Sequence, residues 1–132
     1  MHYLLDTYIC IYIIRKKPAQ VLQRLTALDI ADVGISSITL AELEYGIEKS
    51  SRPDKNRSAL NNFLAPLEIL PFDDRAAEHY GKIRRFLGKK GTTIGAMDML
   101  IAAHALSVKA TMVSNNTREF ARIPNLALEN WV

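Results

Sequence analysis

Three carboxylates, Asp6, Glu42 and Asp98, fall near the starts of helix-like runs, the first two after strand-like ones and Asp98 after a glycine-rich connection. Asp6 ends the apolar run Tyr3-Leu4-Leu5 and precedes Thr7 and a second apolar run, Ile9 to Ile14. A carboxylate at such a junction is costly to bury unless something pairs with it. In an open α/β sheet the same junction is where ligands bind. Asp6 therefore reads either as a helix cap or as one arm of an acidic site. Asp98 is followed three, four and seven residues on by Ile101, Ala102 and Ala105, so its helix face is apolar. A solvated surface acid would not choose that face; the alternative is an N-cap, worth about 1 kcal/mol. Glu42, with Glu44 and Glu48 close by, reads by itself as one more helix-surface acid.

Together the three acids mean more. Carboxylates gathered at the edge of a parallel sheet repel one another, and a hard divalent cation relieves that repulsion. Mg²⁺ and Mn²⁺ prefer oxygen ligands and keep several waters. His2, His79 and His104 are dispersed, which argues against a zinc site. The single cysteine, Cys10, sits within an apolar run and reads as core packing, in keeping with a reducing cytoplasm. The segment Gly88–Gly95 lacks a Walker pattern and reads as a flexible connection.

The elements that must position these acids alternate. Residues 2–5, 33–35, 67–70, 110–113 and 126–128 read as short strands. Residues 19–28, 38–49, 54–64, about 73–88 and about 97–108 read as helices, with Ser36 or Ser37 and Asp73 or Asp74 as caps. Thr39 and Glu42 match a capping-box spacing one turn inside the third of these runs. Residues 7–14 are too uniformly apolar for periodicity to decide between helix and strand. Residues 114–117 read as a loop. Strands alternating with helices imply an α/β fold: a three-layer α/β/α domain around a mainly parallel sheet of four or five strands. The 132 residues fit one domain, 1–132.

The chain is 48% hydrophobic and 23% charged, which is ordinary globular composition. No apolar stretch reaches the roughly 20 residues of a membrane span, and no secretory signal is evident. The net charge of +3 favours a polyanionic partner weakly. Its distribution is more useful: Arg15-Lys16-Lys17 form one cluster, and Lys82, Arg84, Arg85, Lys89 and Lys90 another. A domain of the response-regulator or phosphatase kind would need a lysine just after the strand at 110–113, where this chain has Ser114-Asn115-Asn116.

Four segments resemble the motifs of PIN-domain ribonucleases, in order. Leu4-Leu5-Asp6-Thr7 resembles the first. Ser36 to Gly46 is similar to the second, S-x-x-T-x-x-E-L-x-x-G. Asp98 to Ala105 matches D-x-x-I-A-A-x-A, and Ser114-Asn115-Asn116-Thr117-Arg118-Glu119-Phe120 resembles the fourth. The small size and the fourth motif point to the VapC toxins of type II toxin–antitoxin systems. The resemblance implies a metal site of Asp6, Glu42 and Asp98, binding Mg²⁺ or Mn²⁺, with Asn116 as a further catalytic position. It implies Thr7, Ser114 and Glu119 as supporting groups. The implied activity is hydrolysis of RNA phosphodiesters, with a tRNA anticodon loop, that of initiator tRNA included, as target. Arg84, Arg85, Lys89 and Lys90 are the candidates for backbone contacts. The implied partners are a VapB-type antitoxin, through which the complex binds operator DNA, and a second copy of the chain. The competing expectation is a weakly catalytic module that acts mainly through those complexes. Tyr8 stands where family members usually carry Asn; its larger ring would either crowd the site or stack a base.

Overall fold

A computed structural model describes residues 2–132. Five strands, β1 (Tyr3–Leu5), β2 (Val33–Ser36), β3 (Glu68–Leu70), β4 (Thr111–Val113) and β5 (Leu128–Glu129), form one sheet in the order β3-β2-β1-β4-β5. Every pairing is parallel. The strands are short apolar runs because a parallel sheet is covered on both faces. Leu4 and Leu5, adjacent on β1, point to opposite faces and enter separate cores. Met112 and Val113 divide in the same way on β4.

Helices α1 (Thr7–Arg15), α2 (Ala19–Thr26), α3 (Ser37–Glu48) and α4 (Pro53–Leu64) cover one face, supplying Ile9, Val21, Leu43 and Leu60 to the Leu5 core. Helices α5 (Asp74–Lys90), α6 (Ala96–Ser107) and α7 (Thr117–Phe120) cover the other through Ile83, Leu87, Ile101 and Phe120. This is the expected three-layer arrangement. The chain runs outward from β1 through β2 to β3, then returns to place β4 on the other side of β1. That reversal opens a crevice beyond the carboxyl ends of β1 and β4, the usual ligand position in such sheets.

Several boundaries differ from expectation. Residues 7–15 are helical, because Asp6 caps them: its Oδ1 accepts from the Ile9 amide at 2.9 Å. Helix α5 continues past Gly88 to Lys90, ending where Gly91 adopts a left-handed conformation (φ 67°). Lys89 and Lys90 favour that extension by facing the negative end of the helix dipole. The fourth motif is not all loop; Thr117–Phe120 forms a helical turn that buries Phe120. The last strand is displaced to Leu128–Glu129. Thr39 and Glu42 form no capping box. Ser36 is the N-cap, and the buried Thr39 hydroxyl has no protein partner.

Ser36 ties the two halves of the molecule together. Its hydroxyl accepts from the Ile38 amide at 3.1 Å and lies 2.7 Å from Nδ1 of the buried His104 on α6. Burial pushes the His104 pKa down, so the ring is neutral and Nδ1 can accept from Ser36. Phe72 packs edge-on against the imidazole. Ser36→Ala removes a cap and a buried hydrogen bond at once. It is expected to lower stability by about 2 kcal/mol in urea denaturation. An unchanged midpoint would show that the Ser36–His104 contact is not structural.

Candidate active site

The end of β1 sets the position of Asp6. The Asp6 amide donates to the Val113 carbonyl of β4, fixing the junction against the neighbouring strand. The carboxylate then does two things: one oxygen caps α1, and the group as a whole faces Asp98 and Glu42 closely enough to feel their charge. The cap reading of Asp6 holds, and the same carboxylate faces two further acids. Its pKa is pushed up to about 6. Burial is the main cause, and the charges of Asp98 and Glu42 add to it. The Ser114 hydroxyl and the Ile9 amide oppose it.

Glu42 lies on α3, one turn after Thr39, and is partly buried. The Thr7 hydroxyl, from the first turn of α1, donates to Glu42 Oε1 at 2.5 Å. That bond crosses from one helix to another and fixes the carboxylate next to Asp6. Asp98 occupies the first turn of α6, three residues after the N-cap Gly95. Ile101, Ala102 and Ala105 on its helix face are all fully buried, so the face is packed, as the spacing implied. Asp98 is not a cap. Burial raises its pKa first, and Glu42 and Glu119 raise it further.

The fourth segment closes the site. Ser114, fully buried, follows β4 and accepts from the Asn116 amide at 2.9 Å. Asn116 Nδ2 donates to Glu119 Oε2 at 2.8 Å, which orients the Asn116 side chain. Asp6, Asn115 and Asn116 line one cavity of about 290 Å³ with Tyr8 and Tyr12. The acids singled out in the sequence, Asp6, Glu42 and Asp98, lie close enough for their charges to interact. The Thr7–Glu42 and Asn116–Glu119 pairings, which fix two of these side chains, depend on tertiary placement that spacing cannot supply.

The four acids fit a hydrated hard cation better than a close-packed metal cage. All donors are oxygens, and the neighbouring acid charges add to the burial that raises the pKa values of Asp6 and Asp98. Among the described residues, however, no group of three or more acid, imidazole or thiol side chains converges tightly enough to ligate one ion directly. An ion that keeps part of its water shell, as Mg²⁺ does, suits such a ring.

Tyr8 does not crowd the carboxylates; it projects outward with 66% of its surface exposed. The basic side chains Arg84, Arg85, Lys89 and Lys90 are all exposed on α5. Two of them are engaged locally: Arg84 Nη1 donates to the Tyr80 hydroxyl, and Lys90 Nζ lies 4.7 Å over the Phe86 ring. A second, larger cavity of about 870 Å³ runs between α1, α3 and α4. Its lining includes Ile11, Ile14, Leu43, Ile47 and Leu60, and it reaches the site at Thr7 and Glu42. Cys10 is fully buried and its thiol pKa is raised by burial, so it packs rather than reacts.

The family model for the PIN domain matches residues 3–126 of this parallel five-stranded fold. The chain is 48% identical over 132 residues to ribonuclease VapC2 of Rickettsia felis, covering 99% of this chain and 98% of that one. It is 44% identical over 131 residues to the tRNA(fMet)-specific endonuclease VapC of Salmonella typhimurium, again covering 99% and 98%. The solved structure of VapBC2 from Rickettsia felis bound to a promoter DNA fragment superposes with a TM-score of 0.94 at 46% identity, over the whole of both chains. DNA-bound VapBC from Salmonella typhimurium gives 0.94 at 43%, over 100% of this chain and 99% of that one. The chain belongs to the PIN-domain family, among its VapC ribonucleases.

The raised pKa of Asp6 makes the site a burden on the fold. An acid whose pKa rises from 3.8 to about 6 on folding favours the folded state most below pH 4. That contribution is lost as pH rises through 6. Asp6→Asn retains a good N-cap and removes the buried charge. Without divalent metal it is expected to be more stable than the parent by about 2 kcal/mol at pH 7.5, with the difference fading toward pH 4. Urea denaturation in chelator across that range measures it. A variant less stable than the parent at pH 7.5 would contradict this electrostatic account.

Proposed function

We propose that the chain is the toxin of a type II toxin–antitoxin module, a divalent-metal-dependent endoribonuclease that stops translation by cutting tRNA. The observation that carries the reading is the pair Asp6 and Asp98, whose pKa values are both raised, by burial first and then by the charge of Glu42 in the same site. Such an arrangement carries a standing electrostatic cost, and cation binding is what gives it a use.

Asp6, Glu42 and Asp98 are the residues that would hold the ion. Bound there, Mg²⁺ or Mn²⁺ supplies Lewis-acid stabilisation of the phosphate oxygens and lowers the pKa of a water. Thr7 keeps the Glu42 carboxylate turned into the site. Ser114 holds the Asn116 backbone, and Glu119 holds the Asn116 amide, so that Nδ2 and Oδ1 lie at the rim of the Asp6 cavity. Asn116 would orient the attacking water or a phosphate oxygen for in-line displacement. Exposed cations on α5 would contact the RNA backbone and make binding salt-dependent. The name of the Salmonella relative supports initiator tRNA as the target, and an anticodon loop supplies the unpaired nucleotides that such a site can enter.

The VapBC structures support a cognate antitoxin as partner and a promoter-bound complex as its assembled state. The apolar cavity between α1, α3 and α4 is suited to an apolar segment of that antitoxin. Because the cavity ends at Glu42, the same segment can place an arginine among the carboxylates and neutralise them as the metal would. Pairing of two copies of the chain belongs to the same assembly.

Asp6→Asn, Glu42→Gln and Asp98→Asn should each abolish Mg²⁺-dependent cleavage of total tRNA while leaving the circular dichroism spectrum unchanged. Thr7→Val should lose about 10- to 100-fold. For the parent at subsaturating Mg²⁺, the cleavage rate should fall about tenfold per pH unit below 6, because protonation of metal-free Asp6 competes with the cation. Sequencing of the new RNA ends should place the cuts in one anticodon loop. Full activity in any of the three acid variants, or activity undiminished by chelator, would refute the proposal.

A further inference from the structure

Tyr8 has no part in the acid ring, yet it occupies the best-placed surface beside it. It lies in the first turn of α1, two residues after Asp6, so the capped turn that fixes Asp6 also fixes the base of Tyr8. Its ring is largely exposed, and its hydroxyl makes no hydrogen bond with any described residue. Tyr12 follows one turn later on the same side of the helix and is half-buried. Both rings line the 290 Å³ cavity, and Asp6, Asn115 and Asn116 complete it. Asn130 Nδ2 donates to Asn115 Oδ1 at 3.3 Å, leaving the Asn115 amide hydrogens available. The cavity is near the lower limit of those that take a small planar group (about 300 Å³). Its lining combines two aromatic rings, two side-chain amides and the Asp6 carboxylate. Planar rings with hydrogen-bonding edges, attached to a phosphate, match that lining: unpaired bases stack on tyrosine and present their edges to amides.

We propose that Tyr8 is a stacking platform for the unpaired base next to the scissile phosphate, with Tyr12 backing it and Asn115 meeting the base edge. The inference rests on the ribonuclease reading above and names how that site selects its substrate. A duplex cannot present a base face to Tyr8, so the platform favours loops. The ring is attached to the same helical turn as Asp6. The stacked nucleotide therefore sets which phosphate lies over the acids.

The test uses the full chain carrying Asp98→Asn, so that RNA is bound but not cut. The probe is an RNA stem–loop with a seven-nucleotide loop, in which 2-aminopurine replaces each loop base in turn. One loop position is expected to show fluorescence quenching on binding. Tyr8→Ala should remove that quenching and weaken binding roughly tenfold, as loss of one base–aromatic stack does. Tyr8→Phe and Tyr8→Trp should keep both. Binding and quenching unaltered by Tyr8→Ala would overturn the proposal. So would a loss in Tyr8→Phe equal to that in Tyr8→Ala, since the hydroxyl rather than the ring would then matter. So would a Tyr8→Ala defect confined to capture of a cognate antitoxin peptide, because the ring would then belong to the protein interface. The ribonuclease reading is scored separately, by cleavage of the same stem–loop with Asp98 restored. Quenching that depends on Tyr8 without any cleavage would sustain the platform and defeat the nuclease.

Discussion

Burial of a carboxylate charge at the end of β1, with the charges of Asp98 and Glu42 adding to its cost, is the constraint around which the site is organised. Asp6 is nearly buried, and its pKa of about 6 records how poorly its charge is accommodated without a counterion. Each supporting contact holds that arrangement in place. The strand pairing of β1 with β4 fixes the junction, Ile9 takes one oxygen as a cap, and Thr7 pins Glu42 from the same helical turn. The parallel sheet, buried on both faces by two separate cores, gives these contacts a rigid base. Stability is thus spent at one point of the fold, and the rest of the domain is conventionally packed.

Much of this was legible in the chain. Asp98 was separable from a surface acid because Ile101, Ala102 and Ala105 made its helix face apolar, and all three are buried. Alternation of apolar runs with helical stripes was enough for a parallel three-layer fold. Other features were hidden for physical reasons. The run at 7–14 is apolar all round because α1 packs against the sheet, α2, α3 and α4 together, which erases the periodicity that marks a surface helix. Gly88 looked like the start of a loop, but a glycine in an exposed helix position costs only about 1 kcal/mol, and the true stop is the left-handed Gly91. Glu42 was the least distinct acid because its partner, Thr7, is 35 residues away in sequence.

The two cavities divide the work of the site. The polar one beside Asp6 opens at Tyr8 and the asparagines, where a nucleotide can enter. The apolar one approaches from α3 and α4, where a protein segment can lie and reach Glu42. Tyr8 lines both. Under the proposed function a nucleotide and an antitoxin segment would approach the same carboxylates along different walls.

The central claim is that the buried Asp6 charge is poorly accommodated in the free protein and is relieved by a cation. Carbon-13 NMR titration of the Asp6 carboxyl, with and without Mg²⁺, tests it most directly. The account predicts a midpoint near pH 6 in chelator, moving well downward when Mg²⁺ is added. An ordinary carboxylate midpoint in chelator, or one that Mg²⁺ leaves in place, would contradict it.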